Sequence, residues 1–164
     1  MENERGSAAV ANPAQSRRGQ SLRVLAIDDD AQILDLISSA LGTLRGYEVV
    51  TASHGAEGLE LFHRLRPDCV IVDVQMPVMN GFQFLRAIRG DPASANVPVI
   101  ILSVRNEEAY QQTAAYSGVD EYMPKPFKLS VLCATIERVT QITPEERILR
   151  QQQLADEAEG DGAG

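Results

Sequence analysis

The chain has 164 residues, of which 44% are hydrophobic and 23% charged, a composition that suits one globular domain with flanking tails. A formal net charge of -8 argues against broad binding of nucleic acid, which requires a basic surface. With 5% aromatic residues and no Trp, the sequence offers no stacking platform for single-stranded nucleic acid. It also shows neither a secretory signal nor a membrane-spanning stretch, so we expect a cytoplasmic protein.

From residue 22 onward, short apolar runs alternate with helical patterns five times. This alternation predicts a parallel sheet with helices on both faces. The predicted strands cover residues 22–27, 47–52, 69–72, 97–103 and the segment around Tyr122, and Asp73 comes at the end of the third. The positions predicted to face the core are Ile33, Leu34, Ile37, Leu41 and Leu44 in the first helix, Ala56, Leu59, Phe62 and Leu65 in the second, Leu85 and Ile88 in the third, and Leu129, Leu132, Cys133, Ile136 and Val139 in the last.

Local signals set several helix boundaries. Asp30 and Ser53 are suitable N-caps for the first two helices, and Gly46 fits just after the first. A further helix is expected over residues 106–116, where alanines supply most of the apolar stripe. Because alanines bury little area, we expect this helix to be the least firmly docked.

Neither the cysteines nor the histidines suggest a structural framework or a metal centre. Cys69 lies in a strand of the buried type and Cys133 on the apolar stripe of a helix, so both are interpreted as small core residues. His54 and His63 have no cysteine or acid at metal-ligand spacing and are interpreted as surface residues.

The two ends of the chain differ from its centre. Residues 1–21 lack periodicity and are expected to form a flexible arm, ahead of a globular domain over residues 22–142. Thr143, Pro144 and Glu146 form a capping box for another helix, followed by a disordered tail to residue 164. We favour a solvated, fraying helix there over a docking element for a partner or a second copy, because short isolated helices are marginal in water. We therefore expect no output domain after this helix.

Reactive side chains follow the predicted strands. Asp28 and Asp29 come after the first, Asp73 ends the third, Ser103 ends the fourth and Lys125 follows the fifth. The carboxyl ends of parallel strands lie on one edge of a sheet. Carboxylates gathered there repel one another and favour a hard cation such as Mg²⁺, while a hydroxyl and an ammonium suit a phosphoryl group. The pattern therefore predicts phosphoryl chemistry on Asp73.

With these motifs in place, the chain resembles the response-regulator receiver domain of bacterial two-component signalling, over residues 22–141. The motifs that carry the resemblance are Asp28-Asp29, DVQMPVMNG from Asp73, ILS ending at Ser103, and YMPKPF containing Lys125. The resemblance implies an α/β, flavodoxin-like sheet in the order 2-1-3-4-5, extended here by the C-terminal helix. It also implies a single-domain, chemotaxis-type phosphoprotein that is not an enzyme, since it catalyses only its own phosphorylation and dephosphorylation.

The resemblance also implies the roles of individual residues. Asp73 would be the nucleophile, and Mg²⁺ would be held by Asp29, Asp73 and the backbone carbonyl of Gln75, with Asp28 helping through water. Lys125 would pair with the phosphoryl oxygens.

A switch is implied beside the nucleophile. Ser103 would hydrogen-bond the phosphoryl group, and the Tyr122 ring would then turn inward. Receivers commonly have Ala or Gly after this Ser, so Val104 is expected to crowd the pocket rim and to slow both gain and loss of the phosphoryl group.

The implied partners are proteins. A sensor histidine kinase or a histidine phosphotransfer protein would supply the phosphoryl group in a phosphorelay, and an unknown downstream protein would respond. Phosphorylation-dependent homodimerisation is a further option, whereas direct contact with nucleic acid or membrane is not expected.

Three other interpretations compete with this one. A haloacid-dehalogenase-like phosphatase would use Asp28-x-Asp30, Ser103 and Lys125, but it leaves the Asp73 motif unused and expects a cap insertion. A flavin binder of the flavodoxin type needs Ser, Thr and Gly after the first strand, where three carboxylates would repel the phosphate. A phosphorylation-independent receiver scaffold is disfavoured because every residue of the acidic pocket is present.

Overall fold

A computed structural model describes residues 21–104 and 118–160. The first twenty residues of the predicted arm, the predicted helix over 106–116 and residues 161–164 of the predicted tail therefore lie outside the described residues. The strands are β1 (Arg23–Ile27), β2 (Glu48–Ala52), β3 (Cys69–Asp73), β4 (Val99–Ser103) and β5 (Glu121–Pro124). All four strand pairs are parallel, in the order β2-β1-β3-β4-β5. The flavodoxin-like sheet is confirmed.

Five helices are described, and we number them in chain order. They are α1 (Ala31–Arg45), α2 (Gly55–Leu65), α3 (Gly81–Arg89), α4 (Leu129–Gln141) and α5 (Pro144–Gly160). None of these described helices is long and apolar enough to cross a membrane.

The sheet separates two apolar cores. Because successive side chains of a strand point to opposite faces, Val70 and Val72 of β3 join one core and Ile71 joins the other. The first core includes Phe62 of α2 and Leu85 and Ile88 of α3. The second includes Leu34, Ile37 and Leu41 of α1 and Leu132, Ile136 and Val139 of α4. Cys69 and Cys133 are both free and buried, as predicted.

The ends of α1 follow the sequence closely. The Asp30 carboxylate accepts a hydrogen bond from the Gln32 backbone N–H at 3.0 Å, and Gly46 closes the helix with a left-handed φ of 65°. The prediction that Leu44 faces the core is wrong, since its side chain is 62% exposed. Leu44 lies about 60° around the helix from Leu41, at the margin of the buried stripe in the last turn.

The predicted N-cap of α2 is also wrong by one residue. His54, not Ser53, is the cap, and its ring Nδ1 accepts the Glu57 backbone N–H at 3.2 Å. Ser53 instead donates its backbone N–H and its hydroxyl to the Glu57 carboxylate, both at 3.2 Å. Both types of side chain accept at a helix start, so the local sequence did not separate them.

The face that α2 buries differs from the predicted one. Ala56 is exposed, whereas Gly58 is buried. A Cβ on Gly58 would lie 2.5 Å from Cδ1 of Ile27, so the absence of a side chain lets α2 lie close against β1. The hydrophobic pattern could not reveal this contact because glycine adds nothing to an apolar stripe.

The fourth strand starts at Val99, two residues later than predicted. Val97 donates its backbone N–H to the Ser94 carbonyl, in a loop before the strand. Pro98, which follows, has no N–H to give to a ladder and only its carbonyl pairs, with the Val70 N–H at 2.9 Å.

The C-terminal helix begins as predicted but is not wholly solvated. Thr143 and Glu146 cap each other reciprocally, with donor–acceptor distances of 2.9 and 3.2 Å. Ile148 and Leu149 are exposed, in line with the prediction. Arg147, which lies between the cap and these two residues, is only 3% exposed, and no sequence pattern predicts this burial.

Candidate functional site

Parallel pairing brings the reactive side chains to one edge of the sheet. Asp28 follows β1, and its backbone N–H donates to the Ala52 carbonyl at 3.1 Å. Asp73 is the last residue of β3 and Ser103 the last of β4. In the register of the sheet Ser103 is the partner of Pro124, so Lys125 emerges beside it.

Lys125 joins two of the acids. Its Nζ lies 2.7 Å from Oδ2 of Asp28 and 3.0 Å from Oδ1 of Asp73, and its side chain is 11% exposed. Its backbone N–H also donates to the Ser103 carbonyl at 2.6 Å. A single ammonium therefore bridges the ends of β1 and β3 from the end of β5.

Three carboxylates converge beside this ammonium. Oxygens of Asp28, Asp29 and Asp73 all lie within 4.8 Å of one another, with Asp28 and Asp73 buried and Asp29 exposed. Asp28 is held in place because its Oδ1 accepts the Asp30 backbone N–H at 2.9 Å. Hard oxygen donors with one member open to solvent fit Mg²⁺, which binds a few carboxylates and retains water ligands. Gln75 is exposed, two residues past Asp73.

The electrostatics of the site follow from this crowding. Burial raises the pKa of the Asp73 carboxyl, and the charges of Asp28 and Asp29 add to this, outweighing the lowering by Lys125. Burial alone would lower the pKa of Lys125, but its hydrogen bonds to Asp28 and Asp73 raise it overall. The ammonium therefore stays charged at neutral pH, and an ionised Asp73 gains from any further cation nearby.

A tight loop fixes the backbone of Asp73. The Gly81 N–H donates to the Val74 carbonyl at 3.1 Å, and a Cβ on Gly81 would lie 2.5 Å from the Asp73 carbonyl oxygen. Asn80 and Gln83 cap the start of α3 reciprocally, each at 2.9 Å. The spacing of Asn and Gln three residues apart is a capping-box signal that could have been found in the sequence.

Val78 in the same loop has a left-handed φ of 69° and a fully exposed side chain. A β-branched residue rarely adopts this conformation, which carries strain of about 1–3 kcal/mol. No pattern in the sequence predicted it, because the backbone angle is imposed by the closure of the loop between β3 and α3.

Two of the proposed switch residues, Ser103 and Val104, lie at the same edge of the sheet, and Tyr122 lies two residues before the end of β5. Ser103 is 1% exposed, whereas the next residue, Val104, is 58% exposed. Tyr122 is the register partner of Ile101 and packs, partly buried, against the core formed with α2 and α3.

Asp30 does not join the other acids. It is exposed, and its carboxylate is engaged as the cap of α1. A dehalogenase-like phosphatase would need both Asp28 and Asp30 at the reacting centre, so this geometry weighs against that alternative.

The family model described as a response regulator receiver domain matches residues 24–137 of this chain. The chain belongs to the response-regulator receiver family. Receivers are signalling modules and not conventional enzymes. The prediction from the sequence motifs is confirmed at the level of the family.

Two curated relatives illustrate the similarity. The receiver is 40% identical over 121 residues to the probable transcriptional regulator ycf27 of Guillardia theta, covering 74% of this chain and 46% of the relative. It is 38% identical over 117 residues to the transcriptional regulatory protein PrrA of Mycobacterium tuberculosis, covering 71% and 49%. This chain therefore spans about half the length of these relatives.

Solved structures agree with the fold. The chemotaxis protein CheY4 of Vibrio cholerae is 35% identical with a TM-score of 0.70, and the match covers 73% of this receiver and 99% of that chain. A receiver domain from Clostridium thermocellum is 33% identical with a TM-score of 0.67, covering 73% and 94%.

Proposed function

We propose that this receiver is a phosphoacceptor, which takes a phosphoryl group onto Asp73 in the presence of Mg²⁺ and then changes its contacts with other proteins. The observation that carries the proposal is the position of the Asp73 carboxylate, 3.0 Å from the Lys125 ammonium and grouped with two further acids. The phosphoryl donor would be a sensor histidine kinase or a histidine phosphotransfer protein.

The chemistry is a single displacement at phosphorus. The P–N bond of a phosphohistidine breaks, its electron pair returns to the imidazole, and a P–O bond forms to a carboxylate oxygen of Asp73. Such transfers depend mainly on positioning and on neutralising the charge of the transferring oxygens. The Lys125 ammonium lies 3.0 Å from the Asp73 carboxylate and would contact an incoming phosphoryl oxygen.

The metal would add to this neutralisation. Asp29, Asp73 and the Gln75 carbonyl would hold Mg²⁺, with Asp28 helping through water. When bound, the metal would supply positive charge against the phosphoryl oxygens. The exposure of Asp29 leaves an approach from solvent.

The switch would follow from the new charge on Asp73. The Ser103 hydroxyl would hydrogen-bond the phosphoryl group, and Tyr122 on the neighbouring strand would turn further inward. Val104, more than half exposed at the rim, would slow both gain and loss of the phosphoryl group. A downstream protein, or a second copy of the receiver, would recognise the altered surface.

Intact-mass measurement tests the proposal directly. With Mg²⁺ and a small phosphodonor, the wild-type protein should gain one phosphoryl group and Asp73→Asn none. Asp35→Asn is the matched control, because Asp35 is an exposed acid on α1 away from the site, and it should be labelled like the wild type. Equal labelling of Asp73→Asn would overturn the proposal, and steady phosphate release from a small phosphoester would favour a phosphatase.

A further inference from the structure

The C-terminal helix is attached to the receiver through one buried guanidinium. Arg147 donates to a carboxylate oxygen of Asp120, to the Asn96 carbonyl at 2.6 Å and to the Val139 carbonyl at 3.5 Å. Among the α5 side chains that the structure describes, Arg147 alone is buried. The family match covers residues 24–137, so Arg147 lies beyond it, whereas its partners Asp120 and Asn96 lie within it.

Asp120 connects this guanidinium to the start of two strands. Its Oδ2 accepts the backbone N–H of Val99, the first residue of β4, at 2.8 Å. Its own backbone N–H donates to the Val99 carbonyl at 3.0 Å, immediately before β5 begins. Any shift of β4 against β5 therefore changes the place where Arg147 binds.

A second arginine shares the same carboxylate. Arg89 of α3 lies 3.2 Å from Oδ2 of Asp120, and it also donates to the carbonyls of Val97 and Gly118. Burial lowers the pKa of Arg89 to about 10. The charge of Arg147 lowers it further, whereas the charge of Asp120 opposes the lowering.

This arrangement makes the attachment reversible. If Arg147 leaves, Asp120 retains Arg89 and the Val99 N–H, so no buried charge loses its partner. Two guanidiniums around one carboxylate also repel each other, which weakens the docked state relative to a simple pair. The free energies of the attached and detached states therefore differ by far less than the cost of breaking a buried ion pair and leaving one charge without a partner.

The other ends of β4 and β5 carry Ser103 and Lys125. The contact between Arg147 and Asp120, at the Val99 end of β4, lies about 13 Å from Ser103 along the strand, at roughly 3.3 Å per residue. Rigid strands that end on a phosphorylation site at one edge and on Asp120 at the other provide a physical connection between the two.

We propose that Arg147 is a latch, which holds α5 on the receiver while Asp73 is unmodified and releases it when Asp73 is phosphorylated. The release rests on the proposed phosphoacceptor function, whereas the docking does not. The docked geometry is that of the unmodified protein, so a displacement of β4 at Ser103 disturbs it. By linkage, the same displacement becomes easier when α5 is detached.

Amide hydrogen exchange of the full chain tests the docking. Arg147→Ala should speed exchange in residues 144–160 by about tenfold or more, while β1 and β3 keep wild-type protection. Arg150→Ala, an exposed arginine on the same helix, is the matched control and should leave exchange unchanged. Equal α5 exchange in the wild type and Arg147→Ala would overturn the latch. Should Arg147→Ala lose protection throughout the sheet, Arg147→Lys decides, because it retains the charge without the forked geometry and should still release α5.

Beryllofluoride with Mg²⁺, a phosphoryl mimic, tests the release. It should slow exchange in the loop after Asp73 and speed exchange in α5 by at least about threefold, with neither change in Asp73→Asn. A protected loop with unchanged or slower α5 exchange would overturn the release and leave the phosphoacceptor function intact. Absence of any change in the loop would overturn the phosphoacceptor function and, with it, the release.

Discussion

The surroundings of Asp73 disfavour the ionised form of its carboxyl, even with the Lys125 ammonium 3.0 Å away. Asp73 is grouped with two further carboxylates, only Asp28 and Asp73 contact the ammonium of Lys125, and burial raises the pKa of Asp73 above its usual range. Lys125 would still be paired without Asp73, because Asp28 lies 2.7 Å from its Nζ. Removing the charge of Asp73 therefore leaves no buried cation without a partner.

We predict that Asp73→Asn is more stable than the wild type in EDTA at pH 7, by roughly 1 kcal/mol, or about 2–4 °C in Tm for a domain of this size. When folding raises the pKa of a carboxyl, its contribution to the stability of the folded state is fully present below the ordinary pKa. This contribution is lost as the pH rises through the raised pKa. The difference between the two proteins should accordingly shrink as the pH falls toward 4 and vanish below the ordinary pKa of an aspartate carboxyl.

Thermal melts followed by circular dichroism from pH 4 to pH 8 measure this difference. Asp35 is an exposed acid on α1, so Asp35→Asn controls for the general effect of removing one negative charge. A wild type that is as stable as Asp73→Asn at every pH would contradict the prediction.

At the scale of the elements, the junction between β3 and α3 leaves no space for a side chain at Gly81. We predict that Gly81→Ala lowers the free energy of unfolding by about 1–3 kcal/mol, because its Cβ would lie 2.5 Å from the Asp73 carbonyl oxygen. Relieving this close contact would displace the backbone of Asp73, so Gly81→Ala should also slow the proposed phosphorylation of Asp73. Urea titrations and labelling rates measure the two effects.

Gly90→Ala at the other end of α3 is the matched control. Its Cβ would lie 3.5 Å from the Arg86 carbonyl oxygen, an ordinary contact, and its φ is -71°. Stability there should be unchanged or rise by about 0.4–1 kcal/mol through the smaller entropy of the unfolded chain. Comparable stability in the two variants would show that α3 moves freely away from Asp73.

The elements also show what the sequence could and could not predict. The strand before Asp28 and the strands that end on Asp73 and Ser103 were predictable, because strands buried on both faces form uninterrupted apolar runs. Since parallel strands end on one edge, the grouping of these side chains was predictable too, although their roles stay predictions.

Other features depend on contacts that no local pattern contains. Gly58 is buried because α2 packs closely on Ile27. Arg147 is buried by its contacts with Asp120 and Asn96, which lie 27 and 51 residues away in sequence and so escape any local pattern. A polar helix with one buried arginine has the same sequence pattern as a solvated helix, so the docking of α5 was missed.

At the scale of the whole molecule, binding of a cation at the acidic edge should stabilise the entire fold. We predict that Mg²⁺ raises the Tm of the wild type, since it binds only the folded site, with a stabilisation of about 2.7 kcal/mol at a hundred times its Kd. In Asp29→Asn the increase should be clearly smaller because one carboxylate is lost from the cluster.

The neighbouring residue provides a close control. Asp30→Asn removes an equal charge one position away, but it retains a good N-cap for α1 and lies outside the acidic cluster. Its melts should respond to Mg²⁺ like those of the wild type. An Asp29→Asn protein with an unreduced response would rule out Asp29 as a ligand.

The strand order also bears on how copies of this protein avoid aggregating. β2 and β5 are the outer strands, and a bare outer strand can add a strand from another molecule. β2 begins with Glu48, ion-paired to Arg23 at 3.1 Å, while β5 has four residues, carries Glu121 paired to Arg138, and ends on Pro124, which has no N–H to donate. The ion-paired charge at the start of β2, and the shortness, ion-paired charge and terminal proline of β5, therefore discourage extension of the sheet by a strand from a second copy.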